Sequence, residues 1–443
     1  MGRKSHSRTL SIWANGERVG RWTIPTRGEA ELVYDSSWQT SEVGRPISLS
    51  LPFVEGGVIR GERVVNYFDN LLPDSEPIRK RLTTHFKIPN DTFDLLGAIG
   101  RDCVGAVQIL GENDAPKDVH TIQGAPLYEE DVEKLLRQTT SSLPLGGPDE
   151  EELRISLAGA QEKTALLWDG SAWLRPHDAT PTTHILKLPL GFIGARKADF
   201  ATSVENEWLC LNLLAEFGLP VPRTAIVRFG SQKALAVERF DRQMHPSRKW
   251  ILRLLQEDFC QAMGLPSWKK YEADGGPGLT DLTRILQNSV NAAEDLTNLL
   301  KAELLFWLLL APDGHAKNFS LKVLPQGHYQ LTPIYDVMSL WPVEGTAASQ
   351  ITRHKAKLAM AMRGKNKHYH FNEVKRRHFN EMACKYFARS SAEDVIREVL
   401  ERTPTAIENV ARRLPEGFPG QVVERIFSGL QESANEMGNM SEA

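Results

Sequence analysis

Cysteine is scarce in this chain of 443 residues: Cys103, Cys210, Cys260 and Cys384 are the four present, far apart and without a C-x-x-C pair. That spacing argues against a disulfide framework and a structural zinc site, and it suits a reducing compartment. The 12 histidines lack close pairing and add no metal signature. Long apolar runs are also missing; the longest, Leu304–Ala311, is far shorter than a membrane span. Met1–Arg8 carries charge without an apolar stretch and does not read as a secretory signal. A soluble, cytoplasmic protein with no membrane partner is expected. An excess of one charge is absent as well. The formal net charge is −3, so nucleic-acid contact would need a local basic patch.

What is present is an ordinary globular composition, 41% hydrophobic and 25% charged, in a chain too long for one core. Thr9–Tyr34 alternates around an Asn15-Gly16 turn and reads as a β-hairpin. Ser48–Pro52 reads as a short extended piece, Asn66–Leu82 as a helix broken at Pro73, and Gly105–Leu110 as a strand. A small α+β domain is therefore expected over residues 1–110. Residues 111–150 are rich in turn formers, with a helical Glu129–Thr139 and a loop Ser141–Pro148, and read as a connecting region. Beyond it, strand-like Thr164–Leu167, His184–Leu188, Thr224–Val227 and Leu235–Glu238 accompany a helix Val204–Phe217 that stops at Gly218. They define a β-rich lobe over 151–250. Helical periodicity dominates from about Leu252, so 251–443 is expected to form an α-helical lobe. The fold class is α+β, two-lobed behind the small N-terminal domain.

Phosphoryl transfer needs a carboxylate at the attacking hydroxyl and oxygen ligands that hold Mg²⁺ against the triphosphate. Asp313-Gly-His315-Ala-Lys317-Asn318 follows the apolar helix Ala302–Leu310, and Asp336 comes 18 residues later. This is the spacing of kinase catalytic and metal loops. Asp313 would be the base, with Asn318 and Asp336 the metal ligands; the alternative is an Asp-Gly turn that merely closes a loop. Ala158-Gly159-Ala160 leads into Lys163 and a strand. Small side chains there let main-chain N–H groups reach phosphate, although a tight turn would look the same. Lys187 sits within an apolar strand, where a buried ammonium needs an anion. ATP phosphates would serve, with Glu205 or Glu207 bracing the lysine, unless the strand lies at an edge and Lys187 faces solvent. Glu238 and Phe240 follow a strand where main-chain atoms could bond adenine, and a simple strand end explains them nearly as well.

Together, Tyr67-Phe-Asp-Asn-Leu-Leu-Pro-Asp74, Gly100-Arg-Asp-Cys-Val-Gly-Ala106, Ser156-Leu-Ala-Gly-Ala-Gln-Glu-Lys163, Pro181-Thr-Thr-His-Ile-Leu-Lys187, Val237-Glu-Arg-Phe-Asp-Arg242, Asp313–Asn318 and Tyr335-Asp336 closely resemble the HipA family. These are kinase toxins of bacterial type II toxin–antitoxin modules, and the resemblance covers almost the whole chain. It implies a kinase-like fold akin to the phosphatidylinositol 3/4-kinases and ATP- and Mg²⁺-dependent serine/threonine kinase activity. It also implies Asp313 as base, Asn318 and Asp336 as Mg²⁺ ligands, and Lys187 on the α/β phosphates. Lys163 and His315 would lie nearby and Glu238 and Phe240 at the adenine, with Ala158, Gly159, Ala160 and Tyr335 completing the nucleotide site. Ser156 matches the family's autophosphorylated serine, whose modification is implied to swing the 156–163 loop out and silence the enzyme. The implied partners are a HipB-like helix-turn-helix antitoxin, operator DNA bound through that complex, and a protein substrate, glutamyl-tRNA synthetase in the best-known members. One departure is Pro312, where a small polar residue is expected before the aspartate.

Between Arg353 and Arg377 nine lysines and arginines face the single acid Glu373. A solvated face is the plain reading; DNA contact through Lys375, Arg376 and Arg377 is the functional one, dominated by phosphate and falling with salt. Two rival functions remain: a small-molecule kinase, and a non-enzymatic corepressor, which would require a lost base or metal ligand.

Overall fold

The computed structural model describes residues 7–140, 156–159, 161–193 and 197–442; the expected loop Ser141–Pro148 and Ala160 lie outside them. Asn15 and Gly16 both take positive φ (50° and 88°), the backbone a two-residue hairpin turn of this hand requires. The turn joins antiparallel Arg8–Ala14 and Glu17–Ile24. These strands lie within a five-stranded sheet ordered Val58–Arg60, Glu31–Tyr34, Glu17–Ile24, Arg8–Ala14, Gln108–Gly111. Helices Glu62–Asp69, Glu76–Phe86 and Thr92–Ile99 accompany the sheet, and Trp22 stacks on Phe68 at 4.1 Å. Pro73 falls in the loop between the first two helices, since its ring cannot continue the first. Ser48–Leu51 is not extended. The Leu51 N–H closes a turn onto the Ser48 carbonyl at 3.1 Å, and the Ser48 hydroxyl bonds Glu257.

The second sheet has six strands, ordered Thr224–Phe229, Gln232–Glu238, His184–Lys187, Lys163–Trp168, Trp173–Pro176, Gly124–Pro126. Successive side chains point to opposite faces. Leu186, Ala234 and Ala236 share a buried cluster with Val132 and Leu136 of helix Glu129–Thr140, while Leu235 and Val237 join the core around helix Ser203–Glu216. Residues 124–140 thus contribute an edge strand and a covering helix to this sheet.

The C-terminal half packs helices Ala292–Leu308, Arg376–Tyr386, Glu393–Ala411 and Gly420–Asn439 into one core. It is less uniformly helical than periodicity suggests. A three-stranded sheet (Gln256–Asp258, Ser320–Val323, Tyr329–Leu331) and a hairpin (Lys357–Arg363 with Lys367–His370) are built into it. Strands of three or four residues carry too little alternation to stand out beside long helices. The N-terminal domain is docked firmly. Leu255 and Val323 enter its core, Asn15 exchanges two 2.9 Å hydrogen bonds with the Arg253 main chain, and Asn66 and Asn70 donate to the carbonyls of Gly264 and Leu265. No helix among the described residues is long and apolar enough to cross a membrane.

Candidate active site

Helix Ala292–Leu308 ends in a left-handed turn: Leu310 has φ +50° and the Ala311 N–H returns to the Phe306 carbonyl at 2.8 Å. Pro312 therefore follows a helix that has already stopped, and it leaves the Asp313 side chain half exposed in the cleft wall. Strand Ser320–Val323 then carries the chain away, and its partner Tyr329–Leu331 leads to Asp336, so one small sheet holds both ends of the motif. Asn318 donates its amide N–H to the Asp313 carbonyl at 2.6 Å, which leaves its Oδ1 for another partner. The Tyr271 hydroxyl donates to Asp313 Oδ1 at 2.7 Å, and its ring meets the His315 ring edge-on at 5.0 Å. His315 is buried, its Nδ1 has no hydrogen-bond partner among the described residues, and burial pushes its pKa down, which favours the neutral imidazole.

Lys187 lies on a central strand, so the edge-strand alternative is excluded. Its ammonium is buried and bonds Glu207 at 2.6 Å and Asp336 at 2.9 Å. Glu205 instead pairs with Lys233. Burial opposes the charge on Lys187, but the carboxylates of Asp336 and Glu207 outweigh it and raise its pKa. Asp336 is correspondingly held ionised, well below the usual carboxylate range; burial opposes this, and Lys187 and Lys163 overcome it. It also adopts φ +61°, unusual for a non-glycine residue. Lys163 stands directly opposite Lys187 in the antiparallel register. Two like charges facing across strands repel, and burial with the Lys187 ammonium lowers the Lys163 pKa to about 8 despite Asp336.

The segment expected to hold phosphate leaves room for a close approach of its main chain at Gly159. Gly159 has φ +103°, a conformation that strains any side chain, and a Cβ there would crowd the mobile Lys163 Nζ at 2.6 Å. Ala158 precedes it in the same irregular stretch. Ser156 is fully buried, its hydroxyl donating to the Leu71 carbonyl at 2.7 Å. At the end of strand Gln232–Glu238, the Glu238 side chain is half exposed while its main chain pairs with His184. The half-buried Phe240 ring lies 5.6 Å from Tyr335. Tyr335 is anchored through its hydroxyl to the Lys317 carbonyl (2.8 Å) and Ser320 (2.6 Å).

Geometry revises the basic patch. Arg376 is buried, hydrogen-bonded to Glu393 through Nε at 3.1 Å and through a second guanidinium nitrogen, with Glu442 at 3.4 Å. It is neutralised within the fold and is no free phosphate contact. Lys375 is half-buried and Arg377 is exposed. Arg363 and Lys367 are likewise committed, both pairing with Glu272. Residue patterns also passed over Tyr271 and Asp258. The first is an isolated tyrosine far from the motif in sequence, and the second meets the site through Lys317, 3.3 Å away.

This two-lobed α+β fold, with an Asp-Asn-Asp loop set facing paired strand lysines, defines a kinase-like class. Models of the HipA N-terminal domain and the HipA-like C-terminal domain match residues 10–110 and 155–407. A putative kinase, Y4mE, of Sinorhizobium fredii is 35% identical over 344 residues, covering 75% of this chain and 77% of that protein. The serine/threonine-protein kinase toxin HipA of Shewanella oneidensis is 30% identical over 347 residues, 75% of each chain. The chain belongs to the HipA family of kinases. A solved complex of Shewanella oneidensis MR-1 HipA with HipB and operator DNA aligns with a TM-score of 0.77 at 24% identity, covering 96% of this chain and 97% of that one, and shows the same fold.

Proposed function

We propose that the protein is an ATP- and Mg²⁺-dependent serine/threonine protein kinase, the toxin of a toxin–antitoxin pair. The observation that carries this reading is the Lys163–Lys187–Glu207–Asp336 cluster: two facing lysines and an ionised aspartate meet beside the loop of Asp313 and Asn318. Such opposed lysines suit the phosphates of a nucleotide. Asp336 and the amide oxygen of Asn318 are the modest oxygen set Mg²⁺ takes when phosphates supply further ligands. Bound there, Mg²⁺ would neutralise charge on the triphosphate. Lys187 orients the phosphates, Gly159 and its neighbours cradle them through the main chain, and the Glu238–Phe240 main chain with Tyr335 receives the adenine. Asp313 takes the proton of a serine or threonine hydroxyl as that oxygen bonds the γ-phosphorus and the β–γ bridging P–O bond breaks.

Ser156 is the proposed autophosphorylation site. From its buried position it cannot hold a phosphate of about −2 charge without leaving the Leu71 carbonyl, so modification would remove the loop from the nucleotide site. A HipB-like antitoxin and operator DNA are the proposed partners, as in the Shewanella complex, with Lys375 and Arg377 as phosphate contacts. Glutamyl-tRNA synthetase is the proposed substrate. Intact mass after incubation with Mg-ATP tests the chemistry. The wild type, unphosphorylated at the start, is expected to gain one phosphate mapped to Ser156, and Asp313→Ala none. Equal gain by both would remove Asp313 as base.

A further inference from the structure

Five residues of the N-terminal domain, Asn70–Asp74, touch both loops that the proposed reaction must bring together. Asn70 is buried and locked by its amide N–H to the carbonyls of Asn66 and Leu265, both at 2.8 Å. Its Oδ1 and carbonyl then accept from Lys317 Nζ at 2.7 and 3.2 Å. Asp74 lies 3.5 Å from the same ammonium and accepts from Lys270 Nζ at 3.0 Å. The Lys270 carbonyl in turn receives the Ala316 N–H at 3.2 Å. The catalytic loop is thus tethered at Ala316 and Lys317, immediately before Asn318. On the other side, the Asp74 N–H donates to the Gly159 carbonyl at 3.0 Å, and Leu71 accepts from Ser156.

Domain docking alone does not call for this. The apolar cluster and the asparagine contacts already join the halves, and a buried ion pair adds little net stability once the desolvation of its charges is counted. Asp74 Oδ1 is buried and lies 3.5 Å from the Lys317 ammonium, so the carboxylate acts on the catalytic-loop lysine through charge. Burial opposes its ionisation, and Lys317, Lys270 and Lys163 together hold the carboxyl below its ordinary range.

We infer that Asn70 and Asp74 are positioning residues for phosphoryl transfer, supplied by the N-terminal domain and acting through Lys317 and Lys270 on the catalytic loop. The inference rests on the kinase reading and goes beyond it. Charge separates this role from a merely structural one. Asp74→Asn keeps the shape but removes a negative charge near the phosphate site, so Mg-ATP should bind as tightly or more tightly. The loop loses its tether, so phosphate gain should slow tenfold or more. Lys270→Met removes a positive charge, so binding should weaken while the rate falls to a similar degree. The double variant should be no slower than the slower single one, because both act on one tether.

The test is calorimetric Mg-ATP titration together with intact-mass time courses on the full chain, for wild type, both single variants and the double. Weaker binding by Asp74→Asn, an unchanged rate, or multiplying losses in the double would overturn the role. Should Asp74→Asn fail to fold, Lys270→Met must still slow transfer. A wild type that neither binds Mg-ATP nor gains phosphate would bring down the kinase reading itself, and this role with it.

Discussion

Tyr271 shows how one side chain can reach a site from outside its motif. Its phenol donates to Asp313, its ring borders His315, and burial with the nearby Asp313 charge raises its pKa, so it stays a donor at working pH. Tyr271→Phe keeps the ring and removes only the hydrogen bond that sets the carboxylate orientation. Phosphate gain should slow about tenfold while Mg-ATP affinity is unchanged. A time course at wild-type rate would show that Asp313 needs no such guide. The motif residues were legible because their types and spacing are dictated by chemistry: an acid, an amide and a second acid around a phosphate. Tyr271 was not, because its effect depends on a contact made across 42 positions of sequence.

At the scale of elements, strand Gln256–Asp258 and helix Phe259–Ala262 join the two halves. Glu257 is fully buried there, bonded by the Ser48 hydroxyl at 2.5 Å and the Leu49 N–H at 2.9 Å. Burial raises its pKa from 4.5 to about 8, against the lowering effect of those bonds. The folded protein thus holds a proton that the unfolded chain releases above about pH 4.5. This stabilisation is complete below pH 4.5 and is lost as pH rises towards 8. Glu257→Gln should flatten the fall in unfolding free energy between pH 5 and 8, measured by urea titration; an identical slope in the variant would sink the assignment. The element pattern was readable where apolar periodicity ran long, as in Ser203–Glu216 and the strands beside it. It failed at Ser48–Leu51, where side-chain bonds to Glu257 hold a turn, and at the hairpin Lys357–His370, whose lysines hid an apolar face of Leu358, Met360 and Met362.

For the whole molecule, the basic stretch divides into charges spent on the fold and charges left over. Arg376→Ala should destabilise the protein by roughly 1–3 kcal/mol, since it removes the guanidinium from Glu393 and leaves that carboxylate to the Asn380 amide. Arg377→Ala should leave unfolding within about 0.5 kcal/mol of the wild type and weaken operator binding by the antitoxin complex, with a shallower salt dependence. Thermal melts and a salt series of binding isotherms separate the two, and a stable Arg376→Ala would contradict the pairing. The amino-acid sequence by itself determined the residue types and order of the motifs proposed for phosphate transfer, because coordination and proton transfer admit few side chains. It also marked Lys187 as needing an anion, because a buried ammonium cannot stand alone. Only the tertiary structure decided which anions those are, that Lys163 faces Lys187, that Arg376 is internally neutralised, and that the N-terminal domain reaches the catalytic loop. Each depends on charges brought within a few ångströms by packing between distant segments, and no local pattern encodes that proximity.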